Sequence, residues 1–236
     1  MTFRTFAVWA LGVPLTMMVF FIISFSRLFD RKGYSAHSVG VFWSRLILSI
    51  SGVRVEIEGA ENIPEGKPVI FLSNHQGAFD IPVLQGNIPV QFKWVAKKSL
   101  FKIPFIGWSM SLSGYIGVDR ENPSEAYKSM EEASRRIKEG TSLLIFPEGT
   151  RSETGKLLPF KRGGFVLAAK SGVPIVPVAI RGTNTIMKKG GYAIMPSKVT
   201  VSFGRPIETG GVDDKTLRNR TKESIEVFLK NRGLDA

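Results

Sequence analysis

His75 and Asp80 are the pair in this sequence best suited to moving a proton, and their spacing restricts how they can meet. Five residues of regular helix separate two side chains by about 140° around the axis, so both on one helix would point apart. They can meet only if His75 lies in a loop and Asp80 in the first turns of the helix that follows. There the carboxylate accepts the Nδ1 proton and fixes the tautomer, and the other ring nitrogen is left to act as a general base. Spacing alone favours the plainer reading, a loop histidine held on backbone with Asp80 as a helix cap.

Two further strings end in residues of useful kinds. Gly114-Tyr-Ile-Gly-Val-Asp-Arg120 closes on an acid and a base, and Phe146-Pro-Glu-Gly-Thr-Arg-Ser152 offers Glu148 and Arg151. Lys156 follows, and then Lys161, Arg162, Gly163 and Gly164 lead into an apolar segment at Phe165. Guanidinium forks and helix N-terminal amides are the usual holders of phosphate, although a solvated basic loop reads the same way.

The elements around these residues must deliver them to one place. Residues 53–58 alternate at period two, as a strand with one wet face does, and residues 68–72 form a short apolar run suited to a buried strand. Residues 115–118, 142–146, 175–180 and 199–203 are further strand candidates. Asn122 and Pro123 start a helix reaching Glu139, with Ala126, Met130, Ala133 and Ile137 on one face. Residues 165–170 and 213–231 complete the helical set. Strands alternating with helices predict an α/β fold whose mostly parallel sheet is covered by helices on both faces. His75, Arg120 and Glu148 then lie at carboxyl ends of strands, where such sheets bind ligands.

The first 52 residues differ in character, and we read them as a unit apart from an α/β domain at 53–236. Residues 5–26 carry no charge and are long enough to cross a bilayer as a helix. No small-residue cleavage site follows them, which argues against a signal peptide. Residues 39–50 form a second apolar stretch, broken by Arg45 and too short to span comfortably. Arg4 precedes the first run and Arg27, Arg31 and Lys32 follow it, so the flanking charge sets no clear orientation. We therefore expect a two-helix membrane-binding hairpin with both ends on one side, in preference to a single span through a helix kinked at Pro14.

Composition closes several alternatives. The 236 residues carry a formal net charge of +12, which favours an anionic partner. Cysteine is absent, which excludes an acyl-cysteine intermediate, and the two histidines, His37 and His75, suggest no metal site. A serine-nucleophile elbow would need a glycine that Gly107-Trp-Ser-Met-Ser111 lacks, and the glycines at 149 and 155 are one residue too far apart for a nucleotide loop. Nucleic-acid binding would use the charge but leave the apolar N-terminus without a purpose.

Together, Asn74-His-x4-Asp80, Gly114-x4-Asp-Arg120, Phe146-Pro-Glu-Gly-Thr-Arg-Ser152 and Val173-Pro-Ile-Val-Pro-Val178 resemble, in order, the four motifs of the glycerolipid acyltransferases. The form is most similar to the 1-acylglycerol-3-phosphate (lysophosphatidic acid) acyltransferases. That resemblance implies that His75, supported by Asp80, deprotonates the acceptor hydroxyl, which attacks an acyl thioester directly. It implies that Arg120, Glu148, Gly149, Thr150 and Arg151 hold the phosphoglycerol head, with Lys97 as a further phosphate contact. The implied partners are a phospholipid membrane at its cytoplasmic face, lysophosphatidic acid, and acyl-CoA or acyl-carrier protein as donor substrate, with no bound cofactor and no nucleic acid. Glycerol-3-phosphate or another lysophospholipid as acceptor, and a non-catalytic membrane-attached lipid-binding protein, stay open at this point. Gly77 departs from the serine that many members carry, and the apolar stretch from Leu100 to Trp108 offers itself as part of an acyl groove.

Overall fold

The computed structural model describes residues 3–30, 33–152, 154–188 and 190–230. Arg31, Lys32 and Asn231, which belong to the sequence reading above, lie outside the described residues. Two helices open the chain, α1 (Phe3–Ser26) and α2 (Tyr34–Ser51). Helix α1 runs through Pro14 as one element. The two pack side by side where Gly12, lacking a side chain, lets Ile47 approach, and the Trp43 indole donates to the Thr16 hydroxyl at 3.1 Å. Gly52 ends α2 in the left-handed conformation (φ 67°), its N–H turned back onto the carbonyls of Leu48 and Ser49.

The remainder alternates as the apolar periodicity requires. In chain order it comprises β1 (Arg54–Glu58), β2 (Ile70–Ser73), α3 (Asp80–Asn87), β3 (Phe92–Lys97), α4 (Ile106–Leu112) and β4 (Ile116–Val118). Then come α5 (Pro123–Lys138), β5 (Ser142–Ile145), α6 (Gly163–Ser171), β6 (Ile175–Arg181), β7 (Lys198–Phe203) and α7 (Asp214–Lys230). The seven strands form one sheet in the order β1-β7-β6-β2-β5-β3-β4. Strands β6, β2, β5, β3 and β4 are parallel; β7 pairs antiparallel with β6, and β1 runs with β7. The mostly parallel sheet expected from the sequence is therefore present, with two reversed strands at one edge.

Both faces are covered, and strand alternation assigns the side chains. Along β2, Phe71 points into a core shared with Leu48 of α2 and Val83 and Leu84 of α3, while Ile70 and Leu72 point into the opposite core with Ile137 of α5, Phe165 of α6 and Ile225 of α7. Asn122 caps α5 as its residue type suggests, accepting from the backbone N–H groups of Ser124 at 3.1 Å and Glu125 at 3.2 Å. Central strands buried on both faces read as continuous apolar runs, and the carboxyl ends of β2, β5, β3 and β4 share one rim.

Strand β3 was not among the strands expected from sequence, because Lys93 interrupts its apolar run. In the fold Lys93 is only 3% exposed. Its ammonium donates to the carbonyls of Gly33 at 3.0 Å and Ser113 at 2.8 Å, tying the turn before α2 to the end of α4. A buried ammonium needs such acceptors, and both come from segments distant in sequence.

Candidate active site

The loop between β2 and α3 is built around one carboxylate. Asp80 is completely buried at the start of α3. Its Oδ2 accepts from His75 Nδ1 at 2.6 Å, from the Gln76 backbone N–H at 2.6 Å and from the Gly77 backbone N–H at 3.0 Å. The junction inferred from the five-residue spacing is thus the one the chain adopts. Asp80 caps the loop behind it instead of the helix ahead of it. With a carboxylate on Nδ1, that nitrogen holds the proton and Nε2 carries the lone pair.

Three further contacts hold the loop. Asn74, also buried, forms a two-way bridge to β6: its Nδ2 donates to the Ile180 carbonyl at 2.9 Å and its Oδ1 accepts the Ile180 N–H at 2.7 Å. The His75 carbonyl accepts the Ser152 N–H at 2.8 Å. The imidazole stacks on Phe146, with ring centroids 4.0 Å apart and planes within 6°. Asn74 gives no sign of this role in the sequence beyond its place beside His75, because its partner lies on another strand.

Glu148, at the end of β5, is 3% exposed and spends both oxygens on backbone. Oε1 accepts the N–H of His75 at 2.7 Å and Oε2 that of Leu158 at 2.9 Å. Burial pushes its carboxyl pKa up, and the two amide hydrogen bonds oppose that shift. Next to it Gly149 takes a positive φ of 74°. Its carbonyl accepts from Arg120, and a Cβ there would lie 2.7 Å from the Arg120 guanidinium and 3.0 Å from Lys161. Arg120 and Lys161 therefore converge on Gly149, one strand away from His75.

The other expected residues fall at different distances from this centre. Lys97 is exposed and pairs with Glu121 at 3.1 Å, beside Arg120 in sequence. Thr150 and Arg151 are exposed, and Arg151 lines a cavity of about 500 Å³ together with Gln76, Gly77, Asn184, Thr185 and Lys188. Arg162 is turned away onto α7, where it forms a fork to Asp214 at 2.7 and 2.9 Å. Gln76, Asn184 and Lys188 gave no signal in the sequence, because only folding brings residues 76, 151 and 184–188 together. Gly77 has a local reason: a Cβ would stand 2.8 Å from the Thr183 carbonyl, so the turn after β6 closes on the loop only over a glycine.

The stretch from Leu100 to Trp108 remains largely exposed and packs beside the N-terminal helix, where Phe20 meets Phe105 and Trp108 at ring-centroid separations of 5.5 and 5.6 Å. Among the described residues no group of three acidic or histidine side chains is placed to hold a metal.

Comparison with known proteins bears on the same residues. The Acyltransferase family model matches residues 54–181, which include the histidine loop, Lys97, Arg120, Glu148, Arg151 and Lys161 but not Asn184, Thr185 and Lys188 of the cavity. The sequence is 36% identical over 226 residues to the 1-acyl-sn-glycerol-3-phosphate acyltransferase BAT2, chloroplastic, of Brassica napus, covering 92% of this chain and 64% of that protein. It is also 36% identical over 169 residues to the 1-acyl-sn-glycerol-3-phosphate acyltransferase of Pseudomonas aeruginosa, covering 71% of this chain and 65% of that one. The chain thus spans a little under two thirds of the length of these curated relatives. Among solved structures, the 1-acyl-sn-glycerophosphate (LPA) acyltransferase PlsC from Thermotoga maritima superimposes with a TM-score of 0.83 at 28% identity, covering 97% of this chain and 95% of that one.

Proposed function

This chain belongs to the acyltransferase family, and from that premise we propose that it transfers a fatty acyl group from an acyl thioester to the sn-2 hydroxyl of 1-acylglycerol-3-phosphate, giving phosphatidic acid. The observation that carries the reading is the 2.6 Å contact of His75 Nδ1 with Asp80 Oδ2, a buried oxygen fixed by two backbone amides as well.

The chemistry follows from that contact. His75 Nε2 takes the proton of the acceptor hydroxyl as its oxygen attacks the thioester carbonyl. The resulting imidazolium is stabilised by Asp80, and the tetrahedral adduct collapses with cleavage of the carbon–sulfur bond. The imidazolium proton then passes to the departing sulfur, so atoms and charge balance and His75 is regenerated. No acyl-enzyme is formed, in keeping with a chain that has no cysteine. Arg120 and Lys161 at Gly149 take the acceptor phosphate, with Arg151, Thr150 and Lys97 around it. Glu148 contributes by holding the His75 backbone. The donor is acyl-CoA or acyl-carrier protein, both anionic and both suited to a chain of net charge +12.

Residues 1–52 serve as the membrane-binding unit, monotopic on the cytoplasmic face. Helix α1 is long and apolar enough to cross a membrane. It is nevertheless tied to the α/β body near both ends, by Trp9 donating to the Tyr192 carbonyl at 3.0 Å and by the Phe20 ring contacts. A helix so held lies along the body, and its exposed Phe6, Met18, Phe21 and Phe25 present an apolar face to acyl chains. Labelling a cysteine at position 2 in sealed vesicles tests this: access only from the side opposite the catalytic domain would contradict it.

The reaction is tested by incubating the purified chain in lipid vesicles with a matrix of acceptors (lysophosphatidic acid, glycerol-3-phosphate, other lysophospholipids) and donors, with products read by mass spectrometry. Phosphatidic acid from lysophosphatidic acid is the expected main product. Preference for another acceptor would reassign the substrate, and bound lysolipid without any product would leave only a lipid-binding protein.

A further inference from the structure

One side of α1 is closed to lipid, because the connection from β6 to β7 is fastened along it. Thr5 is only 1% exposed, and its hydroxyl oxygen accepts the backbone N–H of Ile194 at 2.9 Å. One turn further on, the Trp9 indole donates to the Tyr192 carbonyl at 3.0 Å, and the two rings meet edge to face at 6.1 Å. Between these ties Val8 is buried in one core with Ile186 and Ile194. A helix that only met lipid would have no use for a hydroxyl and an indole N–H committed to the backbone of a distant loop.

The fastened segment leads directly to the histidine loop. The Met195 N–H donates to the Ile186 carbonyl at 2.9 Å, which joins the part held by α1 to the turn at residues 183–186. Within that turn the Ile186 N–H donates to the Thr183 carbonyl at 3.3 Å, and Thr183 and Ile186 are completely buried. The Thr183 carbonyl is the group packed so closely on Gly77 that a Cβ there would stand at 2.8 Å. Asn184 lies against Gly155, the residue whose carbonyl accepts from Gln76 Nε2. Gln76 and Gly77 both give their backbone N–H groups to Asp80 Oδ2, the oxygen that holds His75. From Thr5 to Asp80, every link is a hydrogen bond, a close packing contact or a few residues of chain.

We propose that Thr5 and Trp9 are positioning residues for the reaction: they hold residues 192–194 to α1 and, through the 183–186 turn, keep the loop of Gln76 and Gly77 seated on Asp80. This rests on the acyl-transfer reading above. It gives α1 a second task, since the helix whose other side meets the bilayer also sets the loop that carries the base. General-base catalysis is sensitive to such placement, and a displacement of about 1 Å that starts far from the reacting atoms can cost about 10²-fold. Loss of either tie therefore acts on kcat, because Arg120 and Lys161, the residues proposed to take the acceptor phosphate, lie outside this chain of contacts.

Steady-state kinetics and hydrogen exchange of the full chain in vesicles containing lysophosphatidic acid test this together. Thr5→Val keeps the shape and removes the hydroxyl, and Trp9→Phe keeps an aromatic ring and removes the N–H. Thr5→Val is expected to lower kcat about tenfold, with acceptor and donor KM within about twofold of wild type, and Trp9→Phe to act in the same direction. Thr5→Ser, which restores the hydroxyl, should return kcat to within about twofold of wild type. Exchange followed by mass spectrometry should quicken in the peptides covering residues 74–80 and 183–195 of Thr5→Val and stay at the wild-type rate in β5. Co-sedimentation of Thr5→Val with vesicles should match wild type, since the hydroxyl faces the loop. If Thr5→Val does not fold, Trp9→Phe carries the test, as position 9 is 41% exposed. Unchanged kcat, a rise in KM with kcat held, an equal loss in Thr5→Ser, or quickened exchange confined to residues 183–195 overturns the proposal while wild-type transfer keeps the general reading intact. Absence of transfer by the wild type removes both.

Discussion

Glu148 accepts the backbone N–H of His75 at 2.7 Å, so the acid at the end of β5 holds the chain segment that carries the base at the end of β2. Its second oxygen takes the Leu158 N–H at 2.9 Å, which fixes the start of the basic loop leading to Lys161. One buried carboxylate thereby sets the relative position of the imidazole and of the loop that carries Lys161, the cation proposed to meet the acceptor phosphate. This gives a structural reason for an acid amid the arginines of the proposed phosphate site.

Replacing Glu148 tests that role. Glu148→Ala removes an anionic acceptor from two buried amides, each hydrogen bond to a charged group being worth about 1.5–3 kcal/mol. The variant is expected to lose several kcal/mol of stability in denaturant titrations. Glu148→Gln should fold better, yet lose about 10²-fold in kcat with little change in acceptor KM, because the displaced group is the base. An acceptor KM that rises while kcat holds would make Glu148 a substrate contact instead.

Arg120 has the opposite signature. Arg120→Ala is expected to raise the acceptor KM by about one to two orders of magnitude, the loss of a charge-assisted contact to phosphate. Lys161→Ala should act in the same direction more weakly. Arg120→Lys should recover only part, since a single ammonium cannot replace a fork that also bonds the Gly149 carbonyl. Acceptor titrations measured separately from donor titrations distinguish this from a general loss of activity.

Gly77 is expected to resist even a small side chain. In Gly77→Ser the new Cβ would start 2.8 Å from the Thr183 carbonyl, a distance that forces the backbone of that turn to move. Overpacking of this kind costs about 1–3 kcal/mol, and the displacement acts two residues from the base. Thermal unfolding and kcat/KM should both fall, the latter about tenfold. Wild-type values for both would mean that the turn after β6 yields freely.

Lys93 gives a pH dependence. Burial, reinforced by the nearby positive charge of Arg136, pushes its pKa down from 10.5 to about 8. Between those values the unfolded chain binds a proton that the native chain does not. Stability should therefore rise with pH across the window from about 8 to 10.5 and be independent of this group below it. The full excursion is roughly 3 kcal/mol at about 1.4 kcal/mol per pH unit. Subtracting the pH profile of Lys93→Met from that of wild type isolates the slope; parallel profiles would show that the ammonium titrates normally.

The degree to which this molecule can be read from its sequence follows from how local each relation is. The meeting of His75 and Asp80 is local: if the two meet at all, five residues, one strand end and one helix start leave one way to do so, although the spacing also fitted Asp80 as a plain helix cap. The six strands found by apolar periodicity are local in the same sense, and so is the Asn122 cap. Strand β3 was lost because Lys93 finds its acceptors at Gly33 and Ser113, far away in sequence. The reversal of β1 and β7 was unreadable because alternation reports which face a residue takes and not which way a strand runs. The motif string named Glu148 but could not say that both its oxygens are committed to backbone. The cavity is the least legible part, since its lining is drawn from three separated segments.

The central claim is that His75 is the base. Its most direct test is single-turnover acyl transfer by His75→Ala in vesicles, alongside lysophosphatidic acid binding by the same preparation. The result expected is a transfer rate reduced by about 10³-fold or more, with lysolipid affinity within a few-fold of wild type. Transfer at the wild-type rate would remove His75 from the mechanism and leave its 2.6 Å contact with Asp80 a structural feature of the loop.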